Sequence, residues 1–184
     1  MRRTLIIALF ALLGMSAMAQ EKINWMSIEE AEARCAEAPR MIFIDVYTDW
    51  CGWCKRMDKS TFANPVIAKY MNEHFYNVKL NAETSDTISF QGQQYVGYVR
   101  EDGRQGSHRL ARTLLNGRMS YPSYVIMNEE MRALQVIPGY QNEKAFEPMM
   151  HFFGDKVYLE MSSEDFLKEF KSELEPEEAP DQKQ

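Results

Sequence analysis

The sequence is poor in metal- and disulfide-forming residues, with three cysteines and three histidines in 184 residues. Cys35, Cys51 and Cys54 are too few for a disulfide scaffold, and a chain of this size can bury a core without covalent staples. No second close cysteine pair exists, and His74, His108 and His151 are scattered. A zinc site built on Cys51 and Cys54 would therefore lack two of its ligands. A c-type haem needs histidine directly after the second cysteine, where Lys55 stands. There is no Lys/Arg-rich block, and the formal net charge is −6, which argues against a general nucleic-acid binder. No internal repeat is visible. No apolar run reaches the roughly 20 residues that span a bilayer as a helix.

What is present suits a single globular domain, since 45% of residues are apolar. Arg2 and Arg3 precede an apolar run from Leu5 to Leu13 and then Ala17-Met18-Ala19, the pattern of a secretory signal peptide over residues 1–19. An uncleaved anchor is the rival reading, and no cysteine follows the expected cut to take a lipid. The expected product is exported to the periplasm or beyond, without stable membrane insertion, into an oxidising compartment. The folded domain is expected over 20–171. Residues 172–184 are acidic and contain proline, the composition of a disordered tail.

Ser27-Ile28-Glu29-Glu30 has the form of a capping box. The helix it starts should bury Ile28, Ala31, Cys35 and Ala38 and end at Pro39, which makes Cys35 a small core residue. Met41–Tyr47 reads as a central strand, apolar on both faces. Helix follows from Cys51, and Asn64-Pro65 caps another that runs to about His74. Tyr76–Leu80 is a strand. A hairpin is expected around Gln91-Gly92, then a loop, then a helix capped by Ser107 with Leu110, Ala111, Leu114 and Leu115 inward. Ser123–Met127 and Arg132–Ile137 are strands around a polar turn. Helices open at Asn142, with Pro148 inside as a kink, and at Ser162. The order predicts an α/β, three-layer sandwich with a central mixed sheet and an inserted hairpin.

The chemistry concentrates in "DVYTDWCGWCK". Two cysteines three apart at a helix start can close a small disulfide. Cys51 would sit where orphan N–H groups and the helix dipole favour negative charge, which lowers a thiol pKa. Thiolate is the attacking form. Cys54, one turn inside, would be shielded and would resolve the mixed disulfide. Gly52 is expected to permit the turn, and Trp50 and Trp53 to offer flat apolar surface to a peptide. Asp45 lies in the apolar strand. Burial raises a carboxylate pKa, and such a group could exchange a proton with Cys54; the alternative is a solvated or capping Asp at the strand rim.

These residues, with "NVKLNAE" and "SYPSYVIM", resemble the thioredoxin superfamily. The resemblance covers roughly residues 21–154. It implies that Lys79 lies near a buried Asp45, that Tyr121–Pro122 is cis and faces the disulfide, and that Gly139 borders a peptide-binding surface. Tyr121 would then pair its backbone with an extended substrate. The run from Cys54 to Phe75 resembles exported thioredoxin-like proteins in particular.

The usual Gly-Pro between the cysteines is Gly-Trp here, so the redox potential does not carry over. Residues 86–106 are extra, and either choose partners or cover an edge strand. The resemblance implies a disulfide oxidoreductase without cofactor or metal. It would act on thiols and disulfides of exported proteins, more in the direction of reduction than of oxidation or isomerisation, and draw electrons from a membrane-bound reductase. The alternatives are a copper chaperone on the same fold, for which methionines would serve as soft ligands, and a non-enzymatic binding module.

Overall fold

The computed structural model describes residues 21–174. The expected signal peptide and the tail beyond residue 174 lie outside the described residues. Strands β1 (Trp25–Met26), β2 (Met41–Tyr47) and β3 (Phe75–Asn81) run parallel, in the order β1-β3-β2. The sheet continues antiparallel from β2 through β8 (Ser123–Met127) to β9 (Ala133–Pro138). Two other strand pairs, β4 (Ile88–Phe90) with β5 (Gln93–Tyr95) and β6 (Tyr98–Val99) with β7 (Gln105–Gly106), belong to the insertion described below. The sheet is mixed, and β2 is central and almost wholly buried, as a run apolar on both faces apart from Asp45 required.

Alternation along β2 divides the core in two. Ile42, Ile44 and Val46 face α1 (Ile28–Glu37) and α4 (Arg109–Leu114) in an aliphatic layer with Val78, Leu80 and Val125. Met41 and Phe43 face α2 (Gly52–Lys59), α3 (Pro65–His74) and α5 (Glu143–Gly154). This second layer is aromatic: Phe43 stacks on Tyr124 at 5.5 Å and meets Phe146 edge-on at 5.6 Å. Each such large side chain stabilises the fold by roughly 1.5–3 kcal/mol when fully buried. Asp45 lies on the same side as Phe43, so a carboxylate is carried into the aromatic layer.

The helix starts follow local sequence. Ser27, Asn64, Asn142 and the Ser162 that begins α6 (Ser163–Glu169) each accept a backbone N–H with the side chain. Two expectations need correction here. Only half of the capping box forms, because the Glu30 carboxylate takes Arg34 at 2.6 Å instead. Ala38 is exposed, not buried: it is the extended C-cap of α1, the conformation that a following proline imposes. Cys35 is buried as expected, and its thiol donates to the carbonyls of Arg40 and Glu129.

Past β3 the insertion differs from a single hairpin and loop. β4 (Ile88–Phe90) and β5 (Gln93–Tyr95) form the expected hairpin, with φ of 48° at Gln91 and 72° at Gly92, the left-handed turn that glycine favours. Ile88 and Phe90 bury against the α1 layer, and Glu29 and Glu32 of α1 accept the N–H groups of Ser89 and Gln91. The stretch expected to be a loop holds a second ribbon, β6 (Tyr98–Val99) with β7 (Gln105–Gly106). Gly97 lets it approach closely, since a Cβ there would lie 2.8 Å from the Ser85 backbone.

Ser107 does not cap α4. His108 does, its Nδ1 accepting Leu110 N–H at 3.2 Å while its backbone N–H binds Ala82 O at 2.6 Å. A histidine imitates the usual capping side chain, which propensity alone does not foresee. Residues 172–174 also depart from the expected disordered tail. Ser172 and the Glu173 N–H both bind the buried carboxylate of Glu147 in α5, and Leu174 packs on the aromatic layer.

Candidate active site

The loop after β2 ends at Cys51, the N-cap of α2. Its N–H donates to Thr48 O at 3.1 Å, and its sulfur accepts the Cys54 N–H at 3.1 Å. A side chain in this place sits among unpaired helix N–H groups, where negative charge is stabilised. Cys51 and Cys54 form a disulfide with Cα atoms 5.3 Å apart. Both are nearly buried, at 4% and 3% exposed, so helix capping rather than exposure distinguishes the two sulfurs. Gly52 plays a different part from the one expected. Its φ is not in the left-handed region, and a Cβ would meet nothing within 4 Å. The backbone does not demand glycine there; its lack of a side chain leaves the surface beside the disulfide open.

Two aromatic flanks rise from that surface. Trp50 is 66% exposed and Trp53 55%. The indole N–H of Trp50 donates to Glu83 Oε2 at 2.8 Å, and its ring meets Tyr121 edge-on at 5.8 Å. Trp53 packs on Tyr140 at 5.3 Å, with the Arg56 guanidinium over both rings. The Tyr121–Pro122 peptide is cis. Pro122 is buried at the start of β8, and its carbonyl accepts the Gly139 N–H at 2.8 Å. The fold thereby joins the end of β9 to the turn before β8.

A charge cluster links β2, β3 and α2, running from a buried carboxylate to an exposed one. Asp45 is 1% exposed, so it does not sit at a solvated strand rim. Strand register places Lys79 opposite it, and Lys79 Nζ approaches Asp45 Oδ2 at 3.0 Å. Lys79 also pairs with Asp58 of α2. Desolvation pushes the Asp45 carboxyl from 3.8 up to about 6, against the opposing pull of Lys79. Burial alone would lower the Lys79 ammonium, but Asp45 and Asp58 outweigh it and hold the group above its ordinary value. The ammonium also lies 4.8 Å from the Trp25 ring and 5.5 Å from Phe62, a favourable cation–π setting. An open cleft of about 490 Å³ between Trp25, Phe62, Asp58 and Lys79 brings solvent to Lys79 and Asp58, while Asp45 stays buried behind them.

The sequence-based candidates thus fall into three groups: the disulfide with its tryptophans, the Pro122–Gly139 corner with Tyr121, and the Asp45–Lys79 pair. Direct contacts join Trp50 to Tyr121 and Lys79 to Asp45. Sequence reasoning missed Asp58, although it follows Cys54 by four residues and Cys51 by seven, the spacing of one helix face. It also missed Glu83, Arg56 and Tyr140, for which no local pattern exists. Among the described residues no group of three or more His, Cys, Asp or Glu is placed to hold a metal ion. No described helix is long and apolar enough to cross a membrane.

Residues 13–135 match the model of the Thioredox_DsbH family, described as a protein of unknown function, DUF255. The thiol:disulfide interchange protein DsbD of Vibrio vulnificus is 26% identical over 118 residues, 50% of this chain. The chain spans only 19% of that relative's length. Among solved structures, a thioredoxin-fold protein from Helicobacter pylori aligns over 83% of this chain and 89% of its own, with a TM-score of 0.55 at 16% identity. A DsbH oxidoreductase aligns over 76% and 90%, with a TM-score of 0.52 at 15% identity. At these identities the structural likeness establishes a thioredoxin fold.

Proposed function

Because the chain belongs to the Thioredox_DsbH family, we propose that it is a thiol–disulfide oxidoreductase acting on exported proteins through Cys51 and Cys54. The observation that carries this reading is the Cys51–Cys54 disulfide closed at the first turn of α2. In the reducing direction, the Cys51 thiolate attacks one sulfur of a partner disulfide. The partner's other sulfur leaves as thiolate. The Cys54 thiol gives up its proton, and its sulfur attacks Cys51, expelling the second partner thiolate. Two electrons have then passed to the partner, and the enzyme is left in the oxidised form described above. An external dithiol must reset it, and the resemblance supports a membrane-bound reductase for that step.

Asp45 suits the role of proton acceptor for Cys54. A carboxyl held at about 6 by burial is largely ionised at neutral pH yet basic enough to take a proton. Lys79 steadies the charge. Tyr121, Pro122 and Gly139, with Trp50 and Trp53 at the sides, form the surface on which an extended partner segment would lie. Export rests on the pattern at residues 1–19, and reduction as the direction rests on the resemblance. No observation favours the copper reading: Met41 and Met127 are packed in the core, and the Met57 sulfur accepts the Tyr124 hydroxyl.

The test is insulin reduction with dithiothreitol as donor, for the wild type and Cys51→Ser. The expected result is catalysed reduction that falls to background in the variant. Equal rates for the two proteins would eliminate the enzyme reading. Proteins trapped covalently by Cys54→Ala and identified by mass spectrometry would then name the partners.

A further inference from the structure

The second ribbon of the insertion takes no part in the chemistry above, yet it borders the motif. Glu83, which holds the Trp50 indole, also lines an open cleft of about 500 Å³ whose other side includes Tyr98, Gln105 and Arg112. Arg112 is shared with a second open cleft of about 580 Å³, between β5 and α4, lined by Tyr95 and Arg109 among others. The two clefts meet at Arg112. A groove therefore leads from the motif tryptophan along the insertion to the outer face of α4.

Charge is sorted along this groove. At the motif end the acids are mostly engaged: Glu83 with Trp50, and Asp102 with Arg104 at 2.8 Å and Arg100 at 3.8 Å. Glu101 is exposed beside them. At the far end the charged groups lining the cleft are Arg109 and Arg112. Both are exposed, and neither has an ion pair among the described residues. From Gly97 to Arg118 the chain carries five arginines against Glu101 and Asp102, within a protein of net charge −6. A local positive excess in an acidic protein invites an acidic partner. The ribbon also offers apolar contact, since Tyr98 is 48% and Val99 59% exposed. Among the described residues β6 and β7 pair only with each other, which leaves edges to which an extended chain can add.

We propose that this groove is an exosite for an extended, acidic stretch of the disulfide-bearing partner. The partner's disulfide lies at the motif, and its carboxylates reach Arg109 and Arg112. The proposal rests on the oxidoreductase reading and adds a substrate class to it. Exposed charges of this kind act on encounter rates and lose force as salt rises.

The experiment follows oxidation of the pre-reduced full chain by tryptophan fluorescence. Three oxidants are compared: a peptide disulfide with an Asp/Glu stretch, one of equal length with a Lys stretch, and the uncharged bis(2-hydroxyethyl) disulfide. The wild type should react with the acidic peptide roughly tenfold faster than with the basic one at low salt, and the preference should shrink in high salt. Arg109→Gln with Arg112→Gln should erase the preference, and R109E with R112E should invert it, both leaving the rate with bis(2-hydroxyethyl) disulfide unchanged. An unaltered preference, or equal losses on all three oxidants, would overturn the exosite alone. A wild type that reduces none of them would overturn the oxidoreductase reading itself, and the exosite with it.

Discussion

The two faces of strand β2 hold the same residue type in opposite circumstances. On the aliphatic face, Cys35 sits near the end of α1 and donates its thiol to two backbone carbonyls. The C-terminal end of a helix is a poor place for negative charge. On the aromatic face, Cys51 caps the start of α2 and its sulfur accepts a backbone N–H. There negative charge is favoured. Both cysteines are buried, at 3% and 4% exposed, so burial does not separate their two environments. The direction of the surrounding N–H and C=O groups does. The aromatic face also carries an expense that the aliphatic face avoids, a desolvated carboxylate at Asp45.

The sharpest way to probe this contrast is to damage each face in turn. Ile44→Ala on the aliphatic face should cost about 2–5 kcal/mol by transfer and cavity terms, read as a lower denaturant midpoint, while the thiol chemistry of the surviving fold stays unchanged. A cost below about 1 kcal/mol would mean that this layer is looser than its burial implies.

Asp45→Asn on the aromatic face should act in the opposite direction on stability. The folded pKa, about 6, lies above the model value of 3.8. The folded protein therefore binds the proton more tightly, and stability falls as pH rises from about 4 to about 6. Asn removes that loss. Near pH 7 the variant should be more stable than the wild type by on the order of 3 kcal/mol at most, with the gap closing by pH 4. Resolution by Cys54 should meanwhile slow, and its rise with pH through about 6 should flatten. Equal unfolding curves at both pH values, with an unchanged rate profile, would remove Asp45 from both roles.

The smallest effect is expected at Cys35. Cys35→Ser should cost about 1 kcal/mol and leave insulin reduction intact. In the reduced native protein an alkylating reagent should label Cys51 well before Cys35. Equal labelling rates would erase the distinction between the two helix ends.

Much of the fold is legible because its signals are local. Apolar residues on both faces, interrupted at Asp45 alone, mark β2 as central. Ser27, Asn64, Asn142 and Ser162 mark helix starts through one side-chain bond each. The hairpin is marked by β-rich arms flanking Gln91-Gly92, and the two positive φ angles there agree with it. The Cys51-x-x-Cys54 spacing defines the disulfide because one helical turn separates the two sulfurs. One miss is local too: the helical period points Ala38 to the core, but the following proline ends the helix before it. The other misses are non-local. His108 caps α4 only because the chain after β3 returns to pair its N–H with Ala82. The β6–β7 ribbon rests on Gly97 approaching the Thr84–Ser85 backbone, a contact that no spacing encodes.

The candidate site divides along the same line. The cysteines, Asp45 and the neighbouring tryptophans lie within ten residues of one another, and sequence by itself was enough to mark them as a redox unit. Their working environment was decided by tertiary structure. Register across β2 and β3 sets Lys79 against Asp45, the face of α2 turns Asp58 onto the same ammonium, and the turn before β8 brings Tyr121 to Trp50. The physical reason is that a residue's chemical nature travels with it along the chain. Desolvation and charge pairing depend on which distant segments close over it, and those contacts exist only once the sheet has assembled.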